Sequence, residues 1–141
     1  MLLRKGQYGR SMIEMLGVLG IMAVITVLGI TAYTMATKNI KVNNAKAEIA
    51  TIAQRVRSIS SSGGYSDWGG SRTFKSAFVD TGLMKSYNAF GATGSSGVGY
   101  EIVSANGGNS FTVNVLGLED EDCNLLAAQD WAGSTLVPCS N

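Results

Sequence analysis

At 141 residues, 45% hydrophobic and 15% charged, the chain suits one small domain rather than several. It has no histidine, one proline and two cysteines, which removes the commonest general base and the usual zinc ligand sets, so enzymatic chemistry has little to work with. The formal net charge of +1 carries no basic excess of the kind that marks nucleic-acid binding.

The chain opens with a short basic stretch containing Arg4 and Lys5, a Gly9-Arg10 junction, and then Glu14 at the head of an apolar run. From Met15 to Thr37 no residue is charged, and as a helix this run spans about 34 Å, enough to cross a bilayer. A carboxylate deep in hydrocarbon costs roughly 2.5 to 3.5 kcal/mol, so Glu14 needs a cation or a function. Cleavage after Gly9 would supply the cation, because the new α-amino group of Arg10 would lie about one helical turn from Glu14, or face Glu14 of a neighbouring copy. A secretory signal peptide accounts less well for the run: its core is about 7 to 15 residues long and ends at a small-residue cleavage site, whereas this core is longer and is interrupted by Glu14. An unprocessed signal anchor explains the length and leaves Glu14 without a reason. The charge flanks do not orient the segment, since Arg4, Lys5 and Arg10 are answered by Lys38, Lys41 and Lys46. Without a proline, only Gly17, Gly20 and Gly29 offer places where the helix could loosen or let another helix approach closely.

The basic leader of residues 1–9 ending in Gly9, the acidic fifth residue counted from Arg10, and the long uncharged run behind it together resemble the start of type IV prepilins. The first mature residue would be Arg10, where Phe or Met is commoner in that family. The resemblance implies cleavage after Gly9 by a prepilin peptidase, methylation of the new N-terminus, and storage in the bacterial inner membrane with the head in the periplasm. Polymerisation by an assembly platform and ATPase machinery into an extracellular pilus would follow. Removing residues 1–9 takes away Arg4 and Lys5 and brings the net charge to −1, which suits close packing with copies of itself.

Beyond the apolar run the helical pattern continues, with Val42, Ala45, Ile49, Ile52, Val56 and Ile59 recurring at spacings of three and four. One long helix is therefore predicted, its assembly half over 10–37 and its amphipathic half over 38–60. Lys38, Lys41, Lys46, Glu48, Arg55 and Arg57 lie mostly off this stripe and read as a solvated face, or as partners for acidic residues of adjacent subunits. The Gly/Ser-rich stretch from Ser60 to Ser71 should end the helix and form a loop. Phe74, Ala77 and Phe78, with Gly82 shortly after, predict a short second helix and its stop. Strands are predicted at Val98–Val103 and Ser110–Val115, joined through Asn106-Gly107-Gly108-Asn109 as a hairpin.

The string from Tyr87 into the first strand, with Asn88 and the Phe90-Gly91 step, is similar to the head of type IVb pilins, where a cysteine then opens a disulfide-closed region. An even pair of cysteines in an exported domain reads as one bridge, here Cys123 to Cys139. Closing such a loop is worth about 3 kcal/mol in the chain-entropy model. A redox-active pair would have the closer CxxC spacing.

Glu119, Asp120, Glu121 and Asp122 cluster hard oxygen ligands, but four consecutive carboxylates cannot all converge on one calcium ion. Acids at the start of the helix suggested by the segment from Asp122 to Gln129 are favourable in themselves, and pairing with the basic helix of another subunit is the alternative. Among the aromatics, Trp68, in the Gly-rich loop, is the better candidate for exposure and sugar stacking alongside Tyr65 and Tyr87, while Trp131 reads as an anchor within the C-terminal region.

The fold expected is α+β: a long N-terminal helix packed on an antiparallel sheet, with a head over 61–141 that holds the Cys123–Cys139 bridge. The function expected is a structural pilus subunit with no catalytic residues, cofactor or metal. Its rivals are a minor pilin or type II secretion pseudopilin, a monomeric membrane-anchored binding protein and, last, an anchored enzyme.

Overall fold

The computed structural model describes residues 5–60 and 63–131, with side chains described from residue 11 onward. Residues 1–4 with Arg4, residues 61 and 62, and residues 132–141 with Cys139 lie outside the described residues. The chain divides into two compact units, Met1–Asn39 and Ile40–Asn141.

The first helix, α1, runs Lys5–Ile59 and contains both predicted halves. Its interior has glycines but no proline, so no residue removes a backbone donor from the helical ladder. It stops where the Gly/Ser stretch begins, with the Ser60 N–H donating to the Val56 carbonyl at 3.0 Å as the last turn closes. Within the second unit the predicted stripe is the buried face: Val42, Ala45, Ile52 and Val56 are at most 3% exposed, and Ile49 and Ile59 are partly buried against the core.

Strands β1 (Tyr100–Ala105) and β2 (Ser110–Val115) form an antiparallel pair in register from Tyr100 opposite Val115 to Ala105 opposite Ser110. The connection adopts left-handed backbone at Asn106, Gly107 and Gly108, which asparagine tolerates and glycine takes freely. The first strand begins two residues later than predicted. Val98 and Gly99 are held in the preceding loop instead, where the Val98 carbonyl accepts from Gly94 and the Gly99 N–H donates to Ser86 at 2.6 Å.

The predicted second helix is a single wide turn, Lys75–Val79, in which the Asp80 N–H reaches the Lys75 carbonyl at 2.9 Å. Gly82 follows with φ +73°, the left-handed stop anticipated there. Phe74 and Phe78 from this turn stack at 5.2 Å, and Phe74 meets the Tyr100 ring edge-on at 5.5 Å. These rings, with Ile52, Val56, Trp68 and Ile102, form the main core between α1, the turn and the sheet. The expectation that Trp68 is exposed is overturned. It is 2% exposed, its Nε1 donates to the buried Ser60 hydroxyl at 2.9 Å, and its carbonyl accepts from Ser104, so the ring seals the helix end against the hairpin.

A second cluster gathers Val42 and Ala45 of α1 with Leu126 of α2 (Asp120–Ala127), flanked by Phe90, Leu118 and Trp131. Trp131 Nε1 donates to the Leu126 carbonyl at 3.0 Å, in keeping with its reading as an anchor. Cys123 sits on α2 and is not a free thiol.

Asn88, 1% exposed, knits these layers together. Its Oδ1 accepts from the Phe90 and Ala92 amides at 3.0 and 3.1 Å, and its Nδ2 donates to the Leu116 carbonyl at 2.7 Å and, at longer range, to Gly99. Gly99 lies so close that a Cβ there would stand 2.2 Å from the Asn88 nitrogen. Gly99→Ala should therefore cost at least about 2 kcal/mol by overpacking, and Asn88→Ala a similar amount by leaving buried backbone groups unpaired. Thermal unfolding of the full chain in detergent checks both, with Gly63→Ala as a comparison at a glycine that has open space around it and no left-handed backbone.

Candidate functional site

Two features of the structure carry chemistry, one in each unit. In the first unit Gly9, Arg10 and Glu14 all fall within α1, with Glu14 one helical turn beyond Arg10. Glu14 is exposed, and so is every residue from Ser11 to Ala36. Large apolar side chains such as Met12, Ile13, Leu16, Leu19, Ile25 and Leu28 are about 60–70% exposed, a surface that water does not tolerate at this extent. The segment is long and apolar enough to cross a membrane.

Four of its threonine hydroxyls are satisfied within the helix. Thr26, Thr31, Thr34 and Thr37 each donate a hydroxyl back to a carbonyl three or four residues earlier, at 2.7 to 2.9 Å. This arrangement removes the donor that would otherwise be unpaired in hydrocarbon. A Cβ added at Gly17, Gly20 or Gly29 would meet nothing within 4 Å, so these positions leave shallow notches on the helix surface.

In the second unit an open groove of about 740 Å³ runs between α1 and the loop 83–91. Lys41, Asn44, Glu48 and Thr51 line it from the helix, and Leu83, Lys85 and Tyr87 from the loop. The Lys85 ammonium stands 5.2 Å from the centre of the Tyr87 ring. Hydrogen bonding with Tyr87, and then the electrostatic attraction of that side chain, hold Lys85 above its ordinary pKa.

The groove floor contains a contact that helical periodicity alone does not show. Glu48, placed by its spacing on the solvated face, accepts a short hydrogen bond from the phenol of Tyr100, which is fully buried at the start of β1. Burial first, then the hydrogen bond and the negative charge of Glu48, push the Tyr100 phenol well above its ordinary value. The only signal in the sequence is a lone acid flanking the apolar stripe and a tyrosine at an inward strand position. Trp68 joins neither feature: it is core, with Arg72 lying over its ring at 5.8 Å. The acidic residues 119–122 form the start of α2, and among the described residues no group of acidic, cysteine or histidine side chains is placed to hold a metal ion. Cys139 lies outside the described residues.

No family model matches the chain, and no curated protein or solved structure matches it.

The Tyr100 phenol makes the head sensitive to alkali. Because its folded pKa is raised, its contribution is complete below the ordinary phenol value of about 10 and is lost as pH climbs from there towards the folded value. Tyr100→Phe should cost about 1–2 kcal/mol near neutral pH and flatten the fall in stability above pH 10, read from denaturant unfolding at several pH values.

Proposed function

We propose that this protein is the structural subunit of a type IV pilus of the IVb kind. The chain is cut after Gly9 by a prepilin peptidase, is held in the inner membrane by residues 10–37 with its head in the periplasm, and is drawn by an assembly platform and its ATPase into an extracellular homopolymer. The observation that carries this reading is Glu14 at the head of an exposed stretch of α1 that is uncharged from Met15 to Thr37, one turn beyond Arg10.

In lipid the apolar side chains are solvated by acyl chains. In a filament the same side chains meet those of neighbouring copies, and a carboxylate within that bundle needs a cation. The α-amino group released at Arg10 is that cation, on the same chain or on the copy below, so Glu14 fixes the axial register in which subunits add. The exposed apolar face of Met12 to Ile30 and the notches at Gly17, Gly20 and Gly29 support close helix packing once lipid is displaced. The back-bonded threonines support residence in hydrocarbon before that.

In the head, Cys123 bonds to Cys139 and closes the C-terminal region, a structural bridge that offsets the small core. The subunit is not an enzyme and needs no cofactor.

Intact-mass measurement of the chain expressed with its export machinery should give a mature protein that begins at Arg10, is two mass units light for the disulfide, and carries one methyl group. A chain that still begins at Met1 refutes processing. Glu14→Gln should leave cleavage intact and reduce sheared filament by at least about tenfold, a loss of the order of a charge-assisted contact. Filament at the wild-type level would refute the register role.

A further inference from the structure

The groove between α1 and the loop 83–91 lies within the second unit, and its chemistry is lopsided. It presents the Lys41 and Lys85 ammoniums against one carboxylate, Glu48, which already accepts a hydrogen bond from the Tyr100 phenol. Leu83 and Tyr87 stand exposed at its rim, at 54% and 44%. On the same unit α2 opens with Glu119 and Asp120, both exposed and neither lining the groove.

We propose that the groove is a docking site for a second copy of this chain, which seats the acidic first turn of its α2 between Lys41 and Lys85. Leu83 and the Tyr87 ring cover the aliphatic stems of that turn. Charge chooses this occupant: groove against groove sets lysine on lysine, and acidic turn against acidic turn is equally repulsive. Because the two complementary surfaces are different, copies can join head to tail, and within the pilus reading each docked copy presents its own groove and its own acidic turn to further copies. The inference rests on the pilus reading and gives the head its own part in subunit order.

The test compares full-length chains expressed with the assembly machinery: wild type, K41E/K85E, E119K/D120K, and the combined chain bearing all four changes. Each double reversal should lower sheared polymer by about tenfold, and the combined chain, with its charges exchanged, should recover to within about threefold of wild type. Wild-type levels of polymer from K41E/K85E, or a combined chain no better than its parents, overturn the docking assignment while the pilus reading stands. A wild-type chain that forms no polymer overturns the pilus reading and this inference with it. Because reversed charges can disturb folding, a chain with p-benzoylphenylalanine in place of Leu83 is read in parallel. Photocrosslinks to residues 119–122 of a second copy are the expected result, and crosslinks confined to one copy, to lipid or to another protein overturn it.

Discussion

The second unit depends on the burial of one side-chain amide. Asn88 carries no charge to desolvate, yet it offers two donors and an acceptor that take up the backbone groups of Phe90, Ala92 and Leu116, with a longer contact to Gly99. Those residues belong to three separate stretches of chain: the loop that walls the groove, the approach to β1 and the exit from β2. A hydrophobic residue of the same size would leave each of these backbone groups unpaired in a dry interior, where each costs about 1–3 kcal/mol. The hydrogen bonds also bring Gly99 against the Asn88 backbone at a distance that excludes any side chain. The groove wall therefore holds its shape because the strand pair does, and Tyr100, the residue after Gly99, enters the core at the position from which its phenol reaches Glu48.

Much of this architecture was legible in the sequence wherever it is governed by local periodicity. The stripe from Val42 to Ile59 and the stop near Ser60 follow from helical spacing and from the Gly/Ser stretch, and the strand alternation and the Asn-Gly-Gly-Asn link gave the hairpin. What escaped depends on contacts distant along the chain. Trp68 lies in a segment whose composition favours turns, and composition carries no record that its ring would close over the end of α1 and donate to Ser60. Glu48 lies at the margin of the buried stripe, and whether such a residue faces water or a partner is decided by what packs beside it, here a tyrosine 52 positions later. The single wide turn at Lys75–Val79 replaces a helix because Phe74 and Phe78 are both drawn into the core, 2% and 1% exposed, by rings from the sheet and the loop. For the candidate site, the spacing of Gly9, Arg10 and Glu14 was plain in the sequence, whereas the groove was not, because its two walls come from separate stretches of chain.

The two units answer different solvents. Residues 42–59 bury their apolar stripe against their own head, whereas residues 11–36 leave all of theirs outside. The difference lies in what surrounds the apolar positions: charged residues alternate with them in the second unit and are absent from Met15 to Thr37 in the first. A two-sided pattern folds onto one partner, and an apolar surface on every side needs lipid or other helices all round.

The threonines of the apolar segment have a consequence for recognition. A hydroxyl already spent on a carbonyl of its own helix has no hydrogen to offer a neighbour, so Thr26, Thr31, Thr34 and Thr37 add polarity without adding an address. Whatever meets this surface can read its contour, dented at three glycines, together with the carboxylate of Glu14 and the phenol of Tyr33. A vocabulary that small leaves the segment few polar contacts by which to tell one apolar neighbour from another.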